Sequence, residues 1–165
     1  MTQIEIFLKE LEEEAVTTRK MLALVPTEKF EWQPHPKSMT VYALASHLAD
    51  IASWIKYAII IDKIDISNPD FATPKMNSTE EILQYFEKSL ADSLEELKKA
   101  DDGILGDKWQ LTYGDHVIMD ITKGGCIRHS ISQTIHHRAQ LGVFLRLLDI
   151  PIPGSYGPSA DEMGG

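Results

Sequence analysis

The sequence predicts an all-α protein, a four-helix bundle with long connecting loops and an irregular C-terminal tail. Four segments repeat apolar residues every three or four positions, as amphipathic helices do. Capping residues, prolines and glycines lie at the ends of these segments. The chain has 165 residues, of which 43% are hydrophobic, enough for one domain with a sizeable core. A single domain over residues 1–165 is therefore predicted.

The first helix is predicted over residues 3–25. Thr2 is placed to cap it, and Glu5 follows three residues later, where a capping box requires it. Pro26 ends the helix, and a proline-containing loop over residues 26–39 follows. The apolar stripe steps by three and four through Leu8, Leu11, Ala15, Thr18, Leu22 and Val25.

The second helix is predicted from about Thr40 to Ile61, with Ser38 or Thr40 as its cap. His47 falls on the inward side of this helix, because it is an alternative member of the apolar stripe. A connecting loop over residues 62–77 follows, since two Asx/Thr-Pro pairs interrupt that stretch. The stripe of the second helix is Leu44, His47 or Leu48, Ile51, Trp54 and Ala58.

The third helix is predicted to open with a capping box formed by Ser78–Glu81 and to end before Gly103. Its core face is Ile82, Tyr85 or Phe86, Leu90, Leu94 and Leu97. Residues 103–118 allow two interpretations, a short hairpin around Tyr113–Asp115 or a loop.

The fourth helix is predicted to reach Asp149, and Gly124-Gly125 marks either its start or a kink. The tail from Ile150 to Gly165 contains three prolines and four glycines, so we expect irregular structure there. The inward stripe of the fourth helix is interpreted as Ser130, Gln133, His137, Leu141, Phe144 and Leu148.

Charge and composition restrict the functional classes. The net charge is −9 and the pI is about 5.1, which argues against nucleic-acid binding. The one cysteine, Cys126, cannot form an internal disulfide and is predicted to be a small buried residue rather than a nucleophile. The longest apolar run, Tyr57–Ile61, is far too short for a membrane span, and the N-terminus is not a signal peptide. We therefore expect a cytoplasmic protein that does not bind membranes.

Four of the six histidines, His47, His129, His136 and His137, fall in predicted helices. Residues four apart share a helix face, so His129/Gln133 and Gln133/His137 are possible ligand pairs for one metal ion. His47 could add a ligand from another helix, as in metal sites of helix bundles.

Other interpretations of these residues stay open. His47 and His137 would also suit hydrogen-bonded core positions without metal, and Gln133 would then bond an imidazole. His129 and His136 suit a surface or an interface. Asp50 either orients His47 as a carboxylate behind a metal ligand or is solvated.

The segment His136–Leu141, His-His-Arg-Ala-Gln-Leu, resembles the His-His-Arg-Gly-Gln signature of the last bundle helix in the DinB-like superfamily. That superfamily includes metal-dependent hydrolases and bacillithiol and mycothiol S-transferases. The resemblance covers nearly the whole chain. Further segments that support it are Trp32–Pro34, Leu44–Asp50, Leu145–Pro153 and Tyr156–Asp161.

The resemblance implies a four-helix bundle that binds one divalent ion, zinc, nickel or iron, through three histidines. By position, the first falls on His47 and the third on His137, whereas the second falls on Gln133, which is a departure. Gln133 could serve as an oxygen ligand or position a water, His129 or His136 could substitute, or tight metal binding could be lost.

The expected chemistry is Lewis-acid activation of water, for hydrolysis, or of a thiol, for S-transfer, on a small-molecule substrate. Arg138 is expected to pair with a carboxylate and brace the helix, and Gln140 to lie outside the ligand set. No further catalytic residue is identified. The alternative function is a non-catalytic or degenerate metal-binding bundle that acts as a dimeric stress-related or interaction module. A homodimer is expected in either case.

Overall fold

Four helices form the main body of the fold. The computed structural model describes residues 1–164, and Gly165, the last residue of the predicted tail, lies outside the described residues. α2 packs against both α3 and α4, and α1 packs against the same two helices. The connection between α1 and α2 must therefore span the bundle, which accounts for its length. The helices are α1 (Gln3–Ala23), α2 (Val41–Ile60), α3 (Thr79–Lys99) and α4 (Lys123–Leu147).

The starts of α1 and α2 follow the capping signals in the sequence. The Thr2 hydroxyl accepts the Glu5 amide (3.2 Å), and the Glu5 carboxylate accepts the Thr2 amide (2.7 Å), so the predicted capping box is confirmed. The Thr40 hydroxyl accepts the amide of Ala43 at 3.1 Å. This hydrogen bond identifies Thr40, rather than Ser38, as the cap of α2.

The predicted capping box of α3 is only half formed. The Ser78 hydroxyl accepts the Glu81 amide at 3.2 Å, as predicted. The Glu81 carboxylate, however, accepts the amide of Asn77 at 2.7 Å instead of the amide of Ser78. The box therefore closes one residue earlier in the chain than its usual form.

A small sheet accompanies the bundle, so the all-α prediction holds for the bundle but not for the connections. It contains β1 (Lys63–Asp65), β2 (Lys108–Tyr113) and β3 (His116–Thr122), with β2 in the centre. β1 runs parallel to β2, and β2 pairs with β3 as an antiparallel hairpin. Gly114 in the two-residue turn has φ of 55°, a conformation that glycine adopts without a Cβ clash. The hairpin interpretation of this region is confirmed.

The start of α4 lies at Lys123, directly after β3. The Thr122 hydroxyl accepts the amide of Gly125 at 3.0 Å and thereby caps the helix. The two glycines thus mark the true start rather than a kink. A Cβ at position 124 would lie 3.1 Å from the Leu105 carbonyl oxygen, so glycine permits this close approach.

The buried side of α4 agrees with the predicted stripe at Ser130 and Leu141 and differs from it at the other positions. Gln133 and His137 are half-buried on its flank, not in the centre of the core, and Phe144 and Leu148 are also half-buried. The predicted stripe includes the flank that carries Gln133 and His137, and it leaves out Arg138, whose side chain is buried. One buried row of α4, which again steps by four and three, contains Ile127, Ile131, Thr134, Arg138, Leu141 and Leu145.

Two polar side chains, Lys123 and Ser93, fix α2 against its neighbours. The ammonium of Lys123, only 6% exposed, donates to the Ile59 carbonyl (3.0 Å) and pairs with Asp62 (2.8 Å), which suits a cation at a helix C-terminus. On the other side, the Ser93 hydroxyl of α3 donates to the Ala52 carbonyl of α2 at 2.5 Å. These bonds hold α2 between α3 and α4.

The structure also bears on two predictions from composition. Cys126 is fully buried, and burial raises the pKa of its thiol to about 12, so the side chain behaves as a small apolar group as predicted. Within residues 1–164, no helix has the combination of length and apolar character that a bilayer span requires.

Candidate functional site

Two histidines from facing helices meet between α2 and α4. The imidazole rings of His47 and His137 have their centroids 4.7 Å apart and lie edge to face, with an interplanar angle of 78°. Both side chains are half-buried. The pairing of these two residues, inferred from the sequence, is therefore realised in the fold.

Two glutamines flank His137 on its own helix. Gln133 Oε1 lies 2.8 Å from His137 Nε2, and Gln140 Oε1 lies 3.0 Å from His137 Nδ1. Their spacing of four and three residues places both amides on the same helix face as the imidazole. Gln140 thus holds the ring from the side opposite Gln133, outside the predicted ligand set.

Both imidazoles favour the neutral form. Burial lowers the pKa of His47, His137 lowers it further, and the Asp50 carboxylate opposes this decrease. For His137, burial again lowers the pKa, the hydrogen bond with Gln140 raises it, and His136 lowers it. Neutral imidazole is the form that coordinates a metal ion.

The other histidines do not complete this site. His129 is half-buried and lines a cavity of about 40 Å³ together with His47 and Gln133. His136 is exposed, with its ring centroid 4.9 Å from that of His137. Within residues 1–164, no group of three His, Cys, Asp or Glu side chains could hold a metal ion. His35 is exposed in its loop, and His116 is exposed at the start of β3.

The predicted contact between Asp50 and His47 is replaced by two others. The Asp50 carboxylate accepts hydrogen bonds from the Tyr85 hydroxyl at 2.5 Å and from the Trp54 indole at 3.3 Å. It is 9% exposed, so it is largely shielded from bulk solvent. The i, i+4 spacing of Asp50 and Trp54 was available in the sequence, but the approach of Tyr85 from α3 was not.

Arg138 braces α4, as expected from the sequence. Its guanidinium is fully buried and pairs with the Glu14 carboxylate of α1 at 2.5 Å. It also donates to the Glu14 carbonyl, the Thr18 hydroxyl and the Tyr156 hydroxyl. These four contacts fix the orientation of α4 and therefore of His137, the preceding residue.

Sequence reasoning missed a cavity beside His47. It has a volume of about 280 Å³ and lies between α2, α3 and the loop that follows β1. Residues 66–73 close it, and no apolar periodicity in that loop indicated this role. His47 borders both this cavity and the smaller one.

The side chains of His47, His137 and Gln133 are of kinds that can bind a divalent ion. Two imidazoles and one amide oxygen are neutral ligands, and imidazole is a preferred ligand of zinc, nickel and iron. His47 and His137 belong to different helices, while Gln133 and His137 converge on one position. Three protein donors would leave a coordination position open toward substrate.

Comparison with known proteins agrees with this arrangement of helices. The sequence model of the DinB family matches residues 1–164 of the chain. The chain belongs to the DinB family. The uncharacterized protein YrdA of Bacillus subtilis (strain 168) is 25% identical to this chain over 167 residues, which cover 96% of this chain and 91% of YrdA.

Two crystal structures share the fold of this DinB-family chain. A DinB-like protein from Bacillus cereus ATCC 10987 has a TM-score of 0.74 at 23% identity, covering 94% of this chain and 100% of that one. The DinB-like protein YjoA from Bacillus subtilis has a TM-score of 0.67 at 12% identity, covering 90% and 96%. At these identities the likeness establishes the fold alone.

Proposed function

We propose that this DinB-family protein is a metal-dependent enzyme acting on small molecules, as a hydrolase or a thiol S-transferase. His47, Gln133 and His137 would hold one divalent ion, zinc, nickel or iron. The observation that supports this proposal is the meeting of two neutral imidazoles from facing helices, 4.7 Å apart, with an amide oxygen beside one of them.

The hydrogen bonds of His137 support a cation at this position. A neutral imidazole carries one N–H only. If Nδ1 donates to Gln140, Nε2 directs a lone pair at the amide of Gln133, whose oxygen lies 2.8 Å away. Two acceptors at this distance repel each other. A cation bound by both removes the repulsion; without one, either the Gln133 amide presents its NH2 group or the other tautomer donates from Nε2.

The positioning of His137 and the cavity beside His47 suit the activation of a small-molecule substrate. When bound, the ion would supply Lewis-acid chemistry that lowers the pKa of a water or thiol. The chain holds His137 in place through Arg138 and Gln140, and it offers a cavity of about 280 Å³ next to His47 for a small molecule. Neutral ligands would leave the charge of the ion largely unquenched.

Metal content tests the proposal. The purified protein would be reconstituted anaerobically with zinc, nickel or ferrous iron, desalted and analysed for bound metal. One ion per chain is expected for the wild type and for His136→Ala, an exposed neighbour that serves as the matched control. His47→Ala and His137→Ala should lose the ion. An absence of bound metal in the wild type would refute the enzymatic proposal and favour the non-catalytic bundle.

Gln133→His tests the role of the amide. Imidazole is a better ligand than an amide oxygen for these borderline metals, so zinc affinity should rise by about tenfold or more. Gln133→Ala should lower it. Unchanged affinity in both variants would remove Gln133 from the site. Metal-loaded protein assayed with small esters, and with low-molecular-weight thiols plus an electrophile, would then separate hydrolysis from S-transfer.

A further inference from the structure

Asp50 is a buried carboxylate without a cationic partner among residues 1–164. Its two oxygens accept hydrogen bonds from Tyr85 and Trp54, which are neutral donors. Burial and the hydrogen bond to Asp50 raise the pKa of Tyr85 far above its usual range, so this hydroxyl keeps its proton. A carboxylate removed from water is unfavourable unless a positive charge compensates it.

The cavity beside His47 is the space that Asp50 faces. The cavity-lining residues include no lysine or arginine, while Asp70 adds a second carboxylate in the loop. The one imidazole among the lining residues is that of His47. A ligand in this cavity therefore meets negative charge, which disfavours carboxylates and phosphates.

Aromatic rings form much of the remaining wall. The Tyr57 and Phe71 rings lie edge to face, with centroids 5.4 Å apart and an interplanar angle of 89°. Trp54 and Tyr85, both bonded to Asp50, also line the cavity. The faces of such rings attract cations, and a wall of aromatic rings and carboxylates suits an ammonium group.

We propose that this cavity binds the positively charged end of a small organic ligand, a primary or quaternary ammonium group, with Asp50 as its counter-charge. A volume of about 280 Å³ accommodates a headgroup rather than a large ligand. Because His47 borders the cavity, the ligand would lie beside the candidate metal site. Its identification as the substrate rests on the proposed function, whereas its binding does not.

The test compares cations with their uncharged isosteres on metal-free protein in EDTA. Choline is paired with 3,3-dimethyl-1-butanol, and butylammonium with 1-butanol. Binding is followed through the indole N–H resonance of Trp54 in proton–nitrogen correlation spectra, assigned with Trp54→Phe. At least one cation should shift this resonance saturably and bind at least about tenfold more tightly than its isostere. Equal binding of cation and isostere in both pairs would overturn the proposal.

Asp50→Asn removes the charge with almost no change of shape, so the variant should lose most of the preference for the cation and keep only what the rings and Asp70 supply. Asp120→Asn, at an exposed position on β3, is the matched control and should keep the preference. If Asp50→Asn does not fold, the wild-type comparison still decides. An undiminished preference in folded Asp50→Asn would overturn the role of Asp50. Metal content measured in parallel keeps the two proposals separate, because failure of cation binding leaves the stoichiometry at His137 unaffected.

Discussion

Replacing Arg138 by methionine removes the guanidinium that connects α4 to α1 while keeping most of the side-chain volume. Arg138 is 1% exposed, and its partner Glu14 has a side chain that is 15% exposed. Breaking a buried ion pair costs about 3–5 kcal/mol, because the remaining charge is left without compensation. Glu14 retains the Tyr156 hydroxyl at 2.7 Å and some water, so we expect the lower end, about 3 kcal/mol.

Urea unfolding followed by circular dichroism measures this loss. Arg146→Met is the matched control: this arginine pairs with Asp161, but its side chain is 44% exposed, so about 0–1 kcal/mol is expected. Glu14→Gln combined with Arg138→Met should recover part of the loss, because the unpaired carboxylate is gone. A loss below about 1 kcal/mol for Arg138→Met, equal to that of Arg146→Met, would refute the reasoning.

Three further predictions concern other parts of the chain. The pKa values of His47 and His137 are lowered in the folded state, so the unfolded chain binds more protons as pH falls below about 6.5. Metal-free protein should therefore lose stability from about pH 7.5 to about pH 5.5, and His47→Gln should reduce this slope in urea unfolding; identical slopes would contradict the assignment. Gly114→Val should cost about 1–2 kcal/mol, because φ there is 55°, and Gly114→Asn should cost less; equal urea midpoints for the two variants would count against this. Cys126 should not react with Ellman's reagent until the protein is unfolded, because its thiol is buried and its pKa is about 12; rapid labelling of folded protein would disprove it.

Local signals predicted the bundle well. Thr2, Glu5 and Thr40 act within one helical turn, so their hydrogen bonds could be inferred from spacing alone. The sheet was harder to predict. β1 has only three residues, too few to show a period, and it pairs with β2, which lies far away along the chain.

The candidate site was predictable in part for the same reason. Gln133 and His137 lie four apart on one helix, and the family resemblance indicated that His47 faces them. The Asp50 interaction was not predictable, because Tyr85 reaches it from a different helix and the order of helix packing decides that contact. Metal binding and the expected homodimer stay predictions.

The contacts of Arg138 have a consequence for synthesis of the chain. Its partners lie on both sides of it in the sequence, Glu14 near the beginning and Tyr156 near the other end. On the ribosome, where N-terminal segments emerge first, α1 to α3 can associate early. The guanidinium can gain its full set of partners only after residue 156 has emerged. A segment translated after α4 therefore completes the contacts that hold the His137 helix in place.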